Sequence, residues 1–241
     1  MTAGRKPALS PSVNEAMIDR HFARDPRTRA IVPDATLHAI RDATERARTL
    51  AQKAGRVADA IHASEMLTVA ARHRKARDET WGVVEPALRG VDAAERRARA
   101  DRDRLDAETS APPPPRDAMG SILAGEIRTR LAAMSDRERR AALATALSDG
   151  DDVVMGAVLN APPMLSGLTG REHHDMIRAQ WRQARHPEAL DRIARIDRAL
   201  EDLERVGAKV IAYTSSLYSS DIVAGAETQE RAVAAALSDE E

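Results

Sequence analysis

Between Asp34 and Thr80 the small apolar residues fall at alternating steps of three and four. One line takes Ile40, Ala47, Ala54, Ile61 and Thr68; the other takes Ala43, Leu50, Val57, Ser64 and Ala71. This spacing keeps a stripe on one side of an α-helix, as in a coiled-coil seam. A half-buried strand would instead alternate at every second residue. Asp34 stands where a side-chain oxygen can accept the first free amides, and Leu37 and Ile40 open the apolar face behind it. At about 1.5 Å per residue, a helix from Asp34 to Thr80 would be on the order of 70 Å long. A rod of that length must fold back on something or meet another chain.

Both outcomes are open on the residues alone. Gly82, Pro86 and Gly90 mark a break, because proline lacks the amide that continues a helix. A second helix then runs from about Pro86 or Val91 to Glu108, with Leu88, Val91, Ala94, Ala98 and Leu105 on its face. An antiparallel hairpin satisfies this stripe, and so does a self-associating coiled coil. Before the stripe, residues 1–33 carry Pro7, Pro11, Pro26 and Pro33 and read as a flexible arm, with a short helix across "NEAMIDRHFAR". After it, "SAPPPPR" (residues 110–116) is an extended polyproline segment. It is expected to link the region 34–109 to a second module at 117–218, with residues 219–241 as a short helix and acidic tail.

That second module is a series of capped helices. "MGSILAGEIRTRLAAM" places Ile122, Ile127, Leu131 and Met134 on one face. Ser135 with Glu138 makes a capping box for the next helix. From Pro187 the chain places Ile193, Ile196, Leu200, Leu203, Val206, Val210, Tyr213 and Leu217 at steps of three and four. These predict a helix of roughly eight turns.

Composition says what such helices can bury. Aromatic residues are 2% of the chain: Phe22, Trp81, Trp181, Tyr213 and Tyr218. Alanine carries much of the rest, and each alanine buries little area. Thin helix-to-helix seams are therefore expected rather than a thick core. Charged residues are 31% and nearly balanced, with a net charge of -1. That argues against a surface built wholly for nucleic acid. There is no cysteine, hence no disulfide, thiol nucleophile or thiolate zinc site. No apolar run is long enough for a bilayer, and the N-terminus lacks a secretory core. The expected compartment is the cytoplasm, without membrane contact.

The stretch "SDGDDVVMGAVLNAPPMLSGLTGREHH" (residues 148–174) has the texture of a site. A calcium loop counted from Asp149 would need an oxygen at position five and glycine at six. The chain has Val153 and Val154 there. Helix punctuation fits better. Gly150 ends one helix, Asp151 caps the next, and Asp152 sits in its positive first turn. Val153, Val154, Ala157, Val158 and Leu159 form the face of that helix, and Met164, Leu165 and Leu168 are expected to tuck into the core. Thr169 with Glu172 forms a second capping box. His173 and His174 are adjacent, so on a helix they point about 100° apart and do not share a metal. No catalytic residue, cofactor or metal site is read from this pattern. The best nucleic-acid candidate is "ARHRKAR", with Arg72, Arg74, Lys75 and Arg77.

At "EIRTRLAAMSDRERRAALATALSDGDDVVMGAVLNAPPMLSGLT" the chain resembles a loose group of uncharacterised helical proteins encoded near the structural genes of bacteriophages and prophages. The resemblance spans about residues 117–215 and rests on the order of the "DGDD" capped helix, the "VLNAPPMLSGL" turn and the long helix after His186. It implies a structural or assembly role and assigns no functional residue. The sequence thus predicts an all-α, elongated protein. Its N-terminal half is long-helix and coiled-coil-like, joined by the Pro-rich linker to a C-terminal module of short capped helices plus one long helix. Function would be non-enzymatic, as a scaffold or adaptor acting through helix association in a homo-oligomer or with another structural protein. Partner-facing positions would be Ile40, Leu50, Val57 and Ile61, and Ile193, Ile196, Leu200 and Leu203. The alternative is a nucleic-acid-associated packaging or regulatory factor using the basic patch.

Overall fold

Asp34 starts the first long helix as its chemistry requires: Oδ1 accepts from the amides of Thr36 and Leu37. The computed structural model describes residues 7–168 and 170–238, and the chain is all-α. The helices are α1 (Ala16–Asp19), α2 (Ala35–His62), α3 (Val69–Glu108), α4 (Ala118–Ala133), α5 (Asp136–Asp149), α6 (Asp152–Leu159), α7 (Arg171–Arg185), α8 (Pro187–Ser215) and α9 (Ser220–Ser238). A 3-10 turn, Pro163–Ser166, lies between α6 and α7. The chain packs as two units. One holds residues up to Ala100 together with those from Arg195 onward; the other is Asp101–Ala194.

The polyproline segment is therefore not the divider. The unit boundaries fall inside α3 and α8. Pro112 is buried, and its carbonyl accepts from Asn160 Nδ2 at 2.8 Å. An extended proline run has carbonyls with no partner of their own, and a neighbouring helix end has satisfied one of them.

In the first unit α2, α3 and α8 form a three-helix bundle. Gly55 of α2 lies against the Tyr213 hydroxyl, and His62 Nε2 is 2.9 Å from the Leu217 carbonyl. These two contacts make α2 and α8 parallel. Gly207 lies beside Val91, and Trp81 Nε1 donates to the Tyr218 hydroxyl at 3.1 Å. These two make α3 antiparallel to α8. The stripes predicted for association thus close on each other within one chain.

The first seam line is as expected through Ile61: Ile40, Ala47, Ala54 and Ile61 are buried. The second is displaced by one residue. Leu37, Thr44, Ala51 and Ala58 are buried, whereas Ala43, Leu50, Val57 and Ser64 are half-buried. Thr44 is tolerated inside because its hydroxyl donates to the Ile40 carbonyl at 3.0 Å. Its one polar group is satisfied within the helix, and the remaining methyl packs like alanine.

Nor does the helix run from Asp34 to Thr80. It breaks between His62 and Val69. Thr68 caps α3, its hydroxyl accepting from the Ala71 amide. Arg72 clamps the turn, donating to the carbonyls of Leu67 at 3.0 Å and His62 at 3.4 Å. The break expected at Gly82, Pro86 and Gly90 is absent, and α3 passes through Pro86. The local penalty of proline is offset where Val84, Ala87 and Val91 bury around it.

The arm is docked rather than loose over the described residues. Val13, Ile18 and Phe22 are buried. Ser12 accepts from Lys209 Nζ at 2.6 Å, and Asp19 from Arg41 Nε at 2.8 Å.

In the second unit Leu131, Leu143, Met155, Val158, Leu168, Ile177 and Trp181 make the core. The Ser135–Glu138 capping box forms. Gly150 adopts φ 68°, the left-handed conformation that glycine takes most readily. Asp151 Oδ1 accepts from Val153 and Val154, each at 3.0 Å. Asp151→Ala is expected to cost about 1 kcal/mol, read as a lower urea midpoint; no change would deny the cap its role. Ile122, Val153, Met164 and Leu165 are exposed, against expectation. A single short helix can bury only the side that faces its neighbours. Thr169 lies outside the described residues, so its capping box does too; α7 begins with Gly170 at the cap position.

Candidate functional site

The predicted basic patch is largely consumed by the fold. Arg72 holds the α2–α3 turn. Arg74 Nη2 meets Glu230 Oε1 at 2.5 Å, and Arg77 Nη1 meets Glu227 Oε1 at 2.5 Å. Arg77 Nε also donates to Asp78 at 2.8 Å. Those carboxylates, Asp78 first, raise the already high pKa of Arg77. Lys75 is exposed. Four cations in the sequence therefore do not make an open basic face.

Those ion pairs bring α9 alongside the opening turns of α3 and leave a recess of about 800 Å³ between them. Leu67, Ala70, Ala71, Ala226, Val233, Ala234 and Leu237 supply its apolar lining. Arg74, Lys75, Asp78, Glu79 and Glu230 supply its charges. Val223 is the one buried residue among those of α9 whose side chains are described. Val233 is 56% exposed and Leu237 68%. Ala226, Glu230, Val233 and Leu237 are spaced by four, three and four, so one helix face carries them. That spacing was readable; that the face stays open was not.

The predicted partner-facing positions mostly point inward. Ile40, Ile196 and Leu203 are 0% exposed. Ile61, Ile193 and Leu200 are also buried, while Leu50 and Val57 are half-buried. Side chains already packed inside a unit have no surface to offer.

A polar cluster sits elsewhere in the first unit. Asp202 is fully buried on α8 and accepts from Arg20 Nη2 at 2.6 Å. Its Oδ2 lies 2.7 Å from His21 Nε2, and its Oδ1 lies 3.0 Å from Arg205 Nη2. Burial pushes this carboxyl's pKa up. The hydrogen bonds from His21 and Arg20, with the charges of Arg20 and Arg205, outweigh it and hold the pKa below the usual value.

Of the two histidines of the textured stretch, His173 is half-buried and His174 serves the core. His174 is buried, with Nε2 3.4 Å from the Val158 carbonyl. His186 stacks edge-on against Trp181, ring centroids 5.1 Å apart. Asp152 accepts from Arg185 and from Trp181 Nε1. Among the described residues no three His, Asp or Glu side chains are grouped to hold a metal. No helix among them is long and apolar enough to cross a membrane.

His73 ties the start of α9 to α3. Its Nδ1 accepts from the Ser219 amide at 3.0 Å, so that nitrogen must be unprotonated. Burial, then the nearby His62, pushes its pKa below the ordinary 6.5. A folded value below the unfolded one means that the unfolded chain binds the proton more readily. The contribution of His73 is therefore present above pH 6.5 and lost as pH falls through its depressed folded value. His73→Asn keeps an acceptor but takes no proton. Its urea midpoint should fall less on acidification than that of the wild type; equal falls would place the titration elsewhere.

No protein-family model, curated protein or solved structure matches this chain.

Proposed function

We propose that this chain is a non-enzymatic assembly protein, a scaffold or adaptor of the phage-like kind its second half resembles, acting in the cytoplasm by helix association. The observation that carries this is α9. Its closing turns leave Val233 and Leu237 exposed beside an apolar recess. An alanine-rich helix with almost nothing buried gains little from its own chain, and an exposed apolar face of this kind marks a contact surface. The occupant we assign is a second copy. The recess carries both signs, Arg74 and Lys75 against Asp78, Glu79 and Glu230, so a two-fold related copy can set Lys75 against an acidic residue twice over.

The test is mass in solution by light scattering and sedimentation. The wild type is expected to be a dimer or larger at micromolar concentration, and V233E/L237E a folded monomer. A wild-type monomer throughout, or an oligomer that survives the double change, overturns the assignment. The nucleic-acid alternative on Arg72, Arg74, Lys75 and Arg77 is disfavoured, because binding phosphates there would compete with Glu227 and Glu230.

A further inference from the structure

We propose that mild acid releases the start of α9 from α3, with His73 as the sensor, and so weakens contact between copies. The effect on contact rests on the α9 face being the self-association surface; the release does not. Two imidazoles from different helices hold the joint between α8 and α9. His62, the last residue of α2, places Nε2 2.9 Å from the Leu217 carbonyl. His73, early in α3, accepts from the Ser219 amide at Nδ1, 3.0 Å away. The ring centroids are 4.9 Å apart. The two respond differently to a proton. A carbonyl only accepts, so His62 donates through Nε2–H and still donates when its Nδ1 is protonated. His73 needs a bare Nδ1. A proton there sets N–H against N–H, puts an imidazolium at the positive opening turn of α9 and adds a second charge beside His62. All three effects push α9 away.

Little else fixes that helix. Val223 is its one buried residue among those whose side chains are described. The pairs Arg74–Glu230 and Arg77–Glu227 are partly exposed, and such pairs contribute little. One bond at the joint is therefore a large share of the attachment, whereas inside the three-helix bundle it would be a small one.

The charged groups on the packed elements do not favour a protonated His73. Asp59 of α2, Glu65 of the turn and Asp221 of α9 are exposed. Arg72 is turned to the carbonyls of Leu67 and His62, and Glu227 and Glu230 are bound to Arg77 and Arg74. Tyr213 and Tyr218 stay neutral in this range. The charge that bears on His73 is that of His62, of like sign. Burial first, and then His62, holds the pKa of docked His73 below 6.5, so a released His73 takes the proton first. The tie is whole above pH 6.5 and is lost as pH falls through the depressed value. About one unit below 6.5 a released imidazole is protonated roughly ten to one, so acid raises the opening equilibrium by at most about tenfold.

Hydrogen exchange read by mass spectrometry tests the release, as protection factors of the amides at residues 219–223 at about pH 7.5 and about pH 5.5. Sedimentation of the same samples reads association. In the wild type, protection is expected to fall several-fold on acidification and the dimer to weaken by a similar factor. H73N, whose Oδ1 keeps an acceptor near the Nδ1 position, should show neither change. Unchanged wild-type protection, or an equal fall in H73N, overturns the proposal. A fall in protection with a dimer of unchanged strength overturns the control of contact, and V233E/L237E then tells whether the α9 face is the contact at all. A wild-type monomer at both pH values whose protection still falls leaves the release standing and overturns the assembly reading alone. If H73N is unprotected already at the higher pH, H62Q replaces it. H62Q keeps a donor for the Leu217 carbonyl and removes the like charge, so release moves to higher pH; release at the wild-type pH overturns the proposal.

Discussion

Leu203→Ala is expected to destabilise the protein by roughly 2–5 kcal/mol, whereas Leu50→Ala should cost about 1 kcal/mol or less. Both residues sit on apolar stripes of long helices, and both are leucine. Leu203 is 0% exposed in the three-helix bundle, so truncation removes buried methyl groups and leaves a cavity that packed neighbours fill only in part. Leu50 is half-buried beside the seam rather than in it, so truncation mostly trims a surface already in water. Urea unfolding followed by circular dichroism separates the two. Similar costs at both positions would put the Leu50 line inside the bundle, contrary to the burial of Thr44, Ala51 and Ala58.

Arg139→Met is expected to destabilise the second unit by roughly 3 kcal/mol, measured as a lower thermal midpoint. Arg139 is 7% exposed. Its Nε donates to the Leu131 carbonyl at 2.8 Å, and Nη2 to the Met134 carbonyl at 2.7 Å and that of Ala132 at 3.4 Å. Its Nη1 donates to the Gly167 carbonyl at 2.6 Å and to Asp136 at 2.7 Å. The last carbonyls of a helix have no partner within it, and this one side chain satisfies the end of α4 and the turn at Gly167 together. Gly167 has φ 70° and lies against the guanidinium, where a Cβ would collide with it. Methionine fills similar space but leaves those acceptors without a donor. Arg139→Lys should recover only part of the loss, since an ammonium lacks the planar fork. Full stability in Arg139→Met would mean that water replaces the side chain at no cost.

Capping was legible because it is local: Asp34, the Ser135–Glu138 box, Gly150 and Asp151 act within four residues of themselves. So was the α8 stripe, whose large aliphatic residues leave one choice of face. The α2 register was harder. After Ile40, a step of three reaches Ala43 and leads on to Leu50 and Val57, whereas a step of four reaches Thr44 and leads on to Ala51 and Ala58. Spacing favoured Leu50 and Val57 for their size, and packing against α8 selected the smaller line. Arg139 was invisible among Arg137 and Arg140, because nothing local tells an arginine that reaches inward from one that faces water. The polar cluster joins His21 to Asp202 across 181 positions, a separation no periodicity reports. The basic patch was visible; its neutralisation by Glu227 and Glu230 depended on where α9 lies.

By itself, then, the sequence determined the all-α class, the caps at Asp34, Ser135, Gly150 and Asp151 and the stripe of α8, since hydrogen-bond caps and a 3.6-residue period are properties of neighbouring residues. Tertiary structure decided which stripes meet one another, which cations keep an open side and which helix is left with an apolar face. Those outcomes depend on side chains far apart in the chain competing for the same buried space and the same charges.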